Sequence, residues 1–158
     1  SFDSGMNNLI EKDLIEVLNN KVLIEKIPVL GICLGVQLMC NKSEEGVKEG
    51  LGWFDAEVLS FKGKFEMGSE LPVPNMGWLD VNVAHESKLS SNLPSDSRFY
   101  FVHSFFINAN QKEDIQFTSK YGISYVSGLH KGNIYGVQFH PEKSHKFGFQ
   151  LLKNFADI

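Results

Sequence analysis

Basic charge is scarce. Only fifteen lysine and arginine residues stand against 19 acidic ones, for a net charge of −4, and a single one of the fifteen is an arginine, Arg98. A chain with no basic surplus does not neutralise phosphates along a polynucleotide, which excludes general nucleic-acid binding. Cysteine is almost absent: Cys33 and Cys40 are too few for a disulfide framework, so a reducing, cytoplasmic setting is expected, in which one thiol can be reactive. Long apolar runs are missing too. The longest charge-free stretch, Pro28 to Asn41, is broken by Gly31, Gly35 and Gln37 and falls short of the ~18 apolar residues of a membrane span. No lysine-rich start followed by an apolar segment marks a secretory signal. His85, His103, His130, His140 and His145 are scattered without ligand spacing, and the cysteines form no C-x-x-C pair, so neither a metal nor another cofactor is expected.

What is present is ordinary globular material: 158 residues, 42% apolar and 22% charged, without repeats or low-complexity tracts. Met6, Leu9, Ile10, Leu14, Val17 and Leu18 recur at helical spacing and predict one helix from Asp3 to Asn20. Val29-Leu30-Gly31-Ile32, between Pro28 and Cys33, reads as a short strand buried on both faces, followed by a short helix after Gly35. The middle is strand-rich: Ala56–Phe61, Trp78–Val83, an aromatic run Arg98–Ile107, then Ile115–Ser119, Ser124–Leu129 and Ile134–Phe139. Ser144 to Phe155 carries Phe147, Leu151, Leu152 and Phe155 at helical spacing. The pattern predicts an α/β fold with an added antiparallel portion.

Two constellations can carry chemistry. Gly31-Ile32-Cys33-Leu34-Gly35 has the form G-x-C-x-G between a strand and a helix, the logic of a nucleophile elbow: flanking glycines permit a tight turn that holds the sulfur out at a helix N-terminus. That setting is expected to lower the thiol pKa and to offer the Leu34 N–H to a developing oxyanion. Gln138-Phe139-His140-Pro141-Glu142 follows a strand, which puts His140 on the carboxyl edge of a sheet with a carboxylate two residues on. Taken separately, the first also fits a buried structural cysteine and the second a surface histidine beside a proline turn. Together they supply nucleophile (Cys33), base (His140) and orienting carboxylate (Glu142).

At these residues the chain resembles the triad, or class I, glutamine amidotransferases. Ser43-Glu44-Glu45-Gly46, Met76-Gly77-Trp78, Tyr100-Phe101-Val102-His103-Ser104-Phe105 and Gly136 to Ser144 are similar to the amidotransferase subunits of imidazole glycerol phosphate synthases, in order and through nearly the whole chain. The resemblance implies a flavodoxin-like three-layer fold with a mixed, largely parallel sheet plus an antiparallel portion. It implies hydrolysis of glutamine to glutamate and ammonia through a cysteinyl thioester. Ammonia would pass to a cyclase subunit, its partner in a heterodimer, which makes imidazole glycerol phosphate and AICAR in histidine biosynthesis. Gly35, Gln37, Glu45, Ser104 and Phe105 match positions that hold glutamine, Leu34 the oxyanion position, and Trp78 and Lys143 positions facing the cyclase. His103 reads as a strand histidine satisfied by hydrogen bonds.

Three departures accompany the likeness. Phe105 stands where tyrosine is frequent, and Leu79 where asparagine follows M-G-W. Family members also carry about fifty residues before the stretch that Ser1–Leu9 resembles, including the first strands and a second oxyanion donor. Residues 1–158 are therefore expected to be one amidotransferase domain lacking its amino-terminal part, weakly active alone, since one such donor is worth about 10²–10³ in rate. The rival readings are an amidotransferase feeding a cyclase-like partner in surface-polysaccharide sugar amidination, a γ-glutamyl hydrolase, and a non-catalytic binding subunit.

Overall fold

The computed structural model describes residues 1–65 and 71–158. The chain begins with α1 (Phe2–Glu11), opened by the Ser1 hydroxyl accepting from the Ser4 N–H, and Phe2 and Met6, four apart, bury on one face. The expected single helix is broken. Asp13 takes a positive φ of 53°, so α2 (Leu14–Asn19) starts afresh and runs into a π-helical turn at Asn20–Ile24. The apolar spacing continues across the break, but α2 buries none of its residues.

Then come β1 (Val29–Ile32), α3 (Leu34–Leu38), β2 (Lys42–Ser43), β3 (Ala56–Ser60), β4 (Asn75–Asp80), β5 (Asn82–Val83), β6 (Arg98–His103) and β7 (Phe105–Ala109). The chain closes with β8 (Ile115–Tyr121), β9 (Ile123–Lys131), β10 (Ile134–Val137) and α4 (His145–Ala156). The aromatic run 98–107 is two strands, not one. It bends at Ser104, and β6 leaves to pair with β4 in a separate two-stranded sheet while β7 stays in the main one. The main sheet runs β1-β10-β9-β7-β3-β2, with β8 pairing β9 and β5 pairing β8. It is mixed, as expected, but its balance differs from a largely parallel sheet. Among the described residues only β1 with β10 and β2 with β3 run parallel, and the other pairs are antiparallel.

Two apolar cores lie on the two faces of this sheet. Val36, Met39 and Cys40 of α3 and the residues after it pack with Phe54, Ile107, Leu129 and Ile134 on one side. Leu151 of α4 packs with Tyr135, Val137, Phe139, Phe99 and Phe101 on the other. The alternation of Ile134 and Tyr135 between the cores follows from the period-2 geometry of a strand. Gly136 makes the helical layer possible at the centre, since a Cβ there would stand 2.2 Å from Val36 Cγ2. Helix, sheet and helix are thus stacked in three layers, with α3 and the turn before α4 both at the carboxyl ends of β1 and β10. No helix among the described residues is long and apolar enough to cross a membrane.

Candidate active site

Cys33 sits between β1 and α3 with φ 50° and ψ −105°. A non-glycine residue held there costs about 1–3 kcal/mol and persists only where the surroundings fix it. Here they do: the Cys33 N–H donates to the Val137 carbonyl at 2.8 Å, extending the parallel β1–β10 ladder past Ile32↔Val137. The two glycines of the elbow are not equivalent. A Cβ on Gly31 would lie 2.7 Å from the Val36 nitrogen and 2.8 Å from the Gly35 carbonyl carbon, whereas a Cβ on Gly35 meets nothing within 4 Å. Gly31 is required by packing. Gly35, inside α3, leaves open space above the helix.

The expected lowering of the Cys33 thiol pKa is not what the surroundings produce. Burial pushes it up, and the Leu34 N–H and the Gln138 side chain oppose that only in part, with Glu142 adding to the rise and Lys143 countering it. The helix that was to lower it has five residues, and the cost of burying a charge outweighs so short a dipole. Cys40 is fully buried, donates to the Val36 carbonyl and is pushed to about 12 by desolvation, so it is the inert thiol of the two.

His140 stands beyond the end of β10, on the strand neighbouring that of Cys33. Its Nδ1 lies 2.6 Å from Glu142 Oε1, the partnership expected from their spacing. Its Nε2 is buried and makes no hydrogen bond among the described residues. The turn itself is fastened to β6. The His140 N–H donates to the Tyr100 carbonyl, and the fully buried Ser144 hydroxyl donates to the His140 carbonyl while accepting from the Tyr100 N–H. A carboxylate on Nδ1 and a free Nε2 on the opposite side is the arrangement of an oriented general base.

Beside Cys33 opens a cleft of about 320 Å³ lined by Leu34, Gln37, Glu45, Ser104 and Phe105, with Ser1 and His103 among its other walls. Five expected substrate or oxyanion positions therefore meet at the sulfur. Gly35, His140 and Glu142 do not line this cleft. Glu45 is already engaged through Oε2 with the Phe2 N–H at 2.7 Å, which ties the start of α1 to the cleft. Gln37 is buried, not a solvated helix end. Its Nε2 donates to the Phe105 carbonyl and to Gln138 Oε1. His103 is buried and fully bonded, as read. Nδ1 donates to the Phe105 carbonyl at 2.7 Å and Nε2 accepts from Asn75 Nδ2 at 3.1 Å, and burial holds its pKa down to about 4.

Trp78 and Lys143 meet at one surface. Trp78 packs edge-on to Tyr100 and stacks on His145, and the Lys143 ammonium lies 5.9 Å over the Tyr100 ring. Gln138, two residues before His140, adds a contact to the sulfur. It is fully buried and donates from Nε2 to Cys33 Sγ at 3.7 Å. A glutamine set between an apolar strand and the histidine was the signal available. Among the described residues no group of three or more His, Cys, Asp or Glu gathers to hold a metal.

A family model described as glutamine amidotransferase class-I matches residues 11–158. The chain belongs to the class-I glutamine amidotransferase family. Within it the sequence is HisH-like. It is 51% identical to imidazole glycerol phosphate synthase subunit HisH 2 of Methanococcus maripaludis, over 98% of this chain and 75% of that protein. It is 43% identical to the subunit HisH of Leptospira borgpetersenii, over 100% of this chain and 77% of that one. The crystal structure of a glutamine amidotransferase from Thermotoga maritima superposes with a TM-score of 0.56 at 24% identity, over 94% of this chain. The chain spans about half, 53%, of that structure, and the likeness speaks for the fold alone.

Proposed function

We propose that this chain is the glutaminase subunit of an imidazole glycerol phosphate synthase, releasing ammonia from glutamine for a cyclase partner. The observation that carries the reading is the strained Cys33 elbow beside a His140–Glu142 pair at the carboxyl ends of two adjacent parallel strands. Glutamine enters the cleft, held by Gln37, Glu45, Ser104 and Phe105. Both hydrogens of the Gln37 amide are committed within the protein, so its carbonyl oxygen is the group left for substrate. The Cys33 thiolate attacks the side-chain carbonyl carbon, and the Leu34 N–H receives the oxyanion. His140, oriented by Glu142, gives a proton to the leaving nitrogen, which departs as ammonia. Water then attacks the thioester, His140 takes its proton, and glutamate leaves with the thiolate restored.

Trp78 and Lys143 form the surface that meets the cyclase, whereas Leu79 points to the opposite side of β4, against the core beside Phe99. The test is glutamate release from glutamine with and without the HisF-type cyclase, in the parent and in Cys33→Ala. Turnover is expected to rise with the cyclase and to vanish in the variant. Undiminished turnover in Cys33→Ala would remove the mechanism. A preference for γ-glutamyl peptides over glutamine would move the chain to the hydrolase branch.

A further inference from the structure

The buried polar groups around Cys33 form a single chain of hydrogen bonds with a fixed direction. The Phe105 carbonyl can only accept, and it takes one bond from His103 Nδ1 and one from Gln37 Nε2. Because that carbonyl accepts, the nitrogen end of the Gln37 amide must face it. The second hydrogen on the same nitrogen then points at Gln138, 3.0 Å away, so Gln138 must present its oxygen to Gln37. The nitrogen end of Gln138 is thereby turned toward Cys33 Sγ. Reversing Gln138 would set two NH₂ groups against each other and aim a carbonyl oxygen at the sulfur. Both side chains are buried, Gln138 completely and Gln37 at 5% exposure, so water cannot substitute for a lost partner.

We propose that Gln138 is the hydrogen-bond donor that stabilises the Cys33 sulfur whenever it carries charge, during attack and when the thioester breaks, and that Gln37 is the positioning residue that dictates which end of the Gln138 amide faces it. This rests on Cys33 being the nucleophile. An N–H aimed at sulfur favours the charged thiolate over the thiol, both before attack on the carboxamide and when the thioester breaks and the sulfur leaves with the electron pair. The Gln138 contact is one of the influences that oppose the effect of burial on Cys33. The charged groups that act on this sulfur are Glu142 and Lys143, on the turn after β10 that also carries His140. Glu45 and His103 lie on the walls of the cleft. None of them is altered by substitutions at Gln138 or Gln37.

The experiment follows alkylation of Cys33 by iodoacetamide against pH in the full chain, read by peptide mass, alongside kcat and KM for glutamine with the cyclase. Gln138→Met keeps the length and removes the donor. Its alkylation midpoint is expected to move up by about one pH unit, since a hydrogen bond to a charged group is worth at least that. Its kcat should fall about tenfold near neutrality and recover as pH is raised, with KM little changed. A second substitution is made at Gln37. Gln37→Met, which adds no charge, removes the donor that fixes the Gln138 oxygen and should reproduce part of the upward shift with Gln138 still in place. On the unaltered chain, the Gln138 side-chain amide resonance should titrate with the Cys33 midpoint. A flat Gln138 resonance, or unmoved midpoints in both variants, would overturn the inference while leaving Cys33 as nucleophile. Persistent turnover in Cys33→Ala would instead remove the reading on which it rests.

Discussion

Gly148, in the first turns of α4, lies directly beneath Pro141: a Cβ on Gly148 would stand 1.7 Å from the Pro141 carbonyl oxygen. The terminal helix therefore sets the height of the turn that carries His140. Alanine for glycine inside a helix ordinarily stabilises by about 1 kcal/mol. Here Gly148→Ala is expected to do the opposite, lowering stability by about 1–3 kcal/mol through overpacking. Glutaminase turnover should drop with it while Cys33 alkylation persists, because His140 moves and the elbow does not. Thermal unfolding and the two assays side by side check this.

The two elbow glycines should separate cleanly. Gly31→Ala drives a methyl into the backbone of α3 and should cost about 1–3 kcal/mol or more. Gly35→Ala meets open space, so its melting temperature should hold or rise, and its effect should appear as a higher KM for glutamine. Equal melting temperatures in the two variants would contradict the packing described.

His103 makes stability depend on pH. Its folded pKa is lowered to about 4, against about 6.5 in an unfolded chain. Between those values the unfolded chain binds more protons, so the His103 contribution is fully present above pH 6.5 and is lost as pH falls through the window toward 4. The full difference is roughly 3 kcal/mol. Urea unfolding at pH 7 and pH 4.5 should show this loss. His103→Gln should be less stable at pH 7 and should flatten the dependence over that range.

Trp78 is partly exposed and held by Tyr100 on one side and His145 on the other, a pre-set aromatic anchor. Truncating such an anchor typically costs more than about 1 kcal/mol of binding. Trp78→Ala should weaken association with the cyclase about tenfold, measured by titration calorimetry, and leave the pH midpoint of Cys33 alkylation unchanged.

The placement of the elbow and of the His140–Glu142 pair is legible in the sequence because it is local. A strand, two glycines and a cysteine lie within seven residues, and His140 and Glu142 are two apart. The order of helices and strands was legible for the same reason. Three features were not. The break at Asp13 depends on a left-handed backbone that apolar spacing does not encode. The division at Ser104 falls inside an unbroken aromatic run, and only the separate partners of β6 and β7 reveal it. The polar chain joining Asn75, His103, Gln37, Gln138 and Cys33 draws on four separate segments, and nothing in their spacing announces that they meet. The direction of the Cys33 shift is hidden from the sequence on the same ground. The helix terminus is visible in sequence, but the burial that outweighs it is a tertiary property.

The bond from Gln138 to Cys33 joins residues 105 positions apart. During synthesis the sulfur leaves the ribosome long before the strand that steadies it. Contacts so distant along the chain form late, after the closure of a large loop. The donor to that sulfur is thus in place only once the strand Ile134–Val137 and the glutamine after it have folded against the elbow.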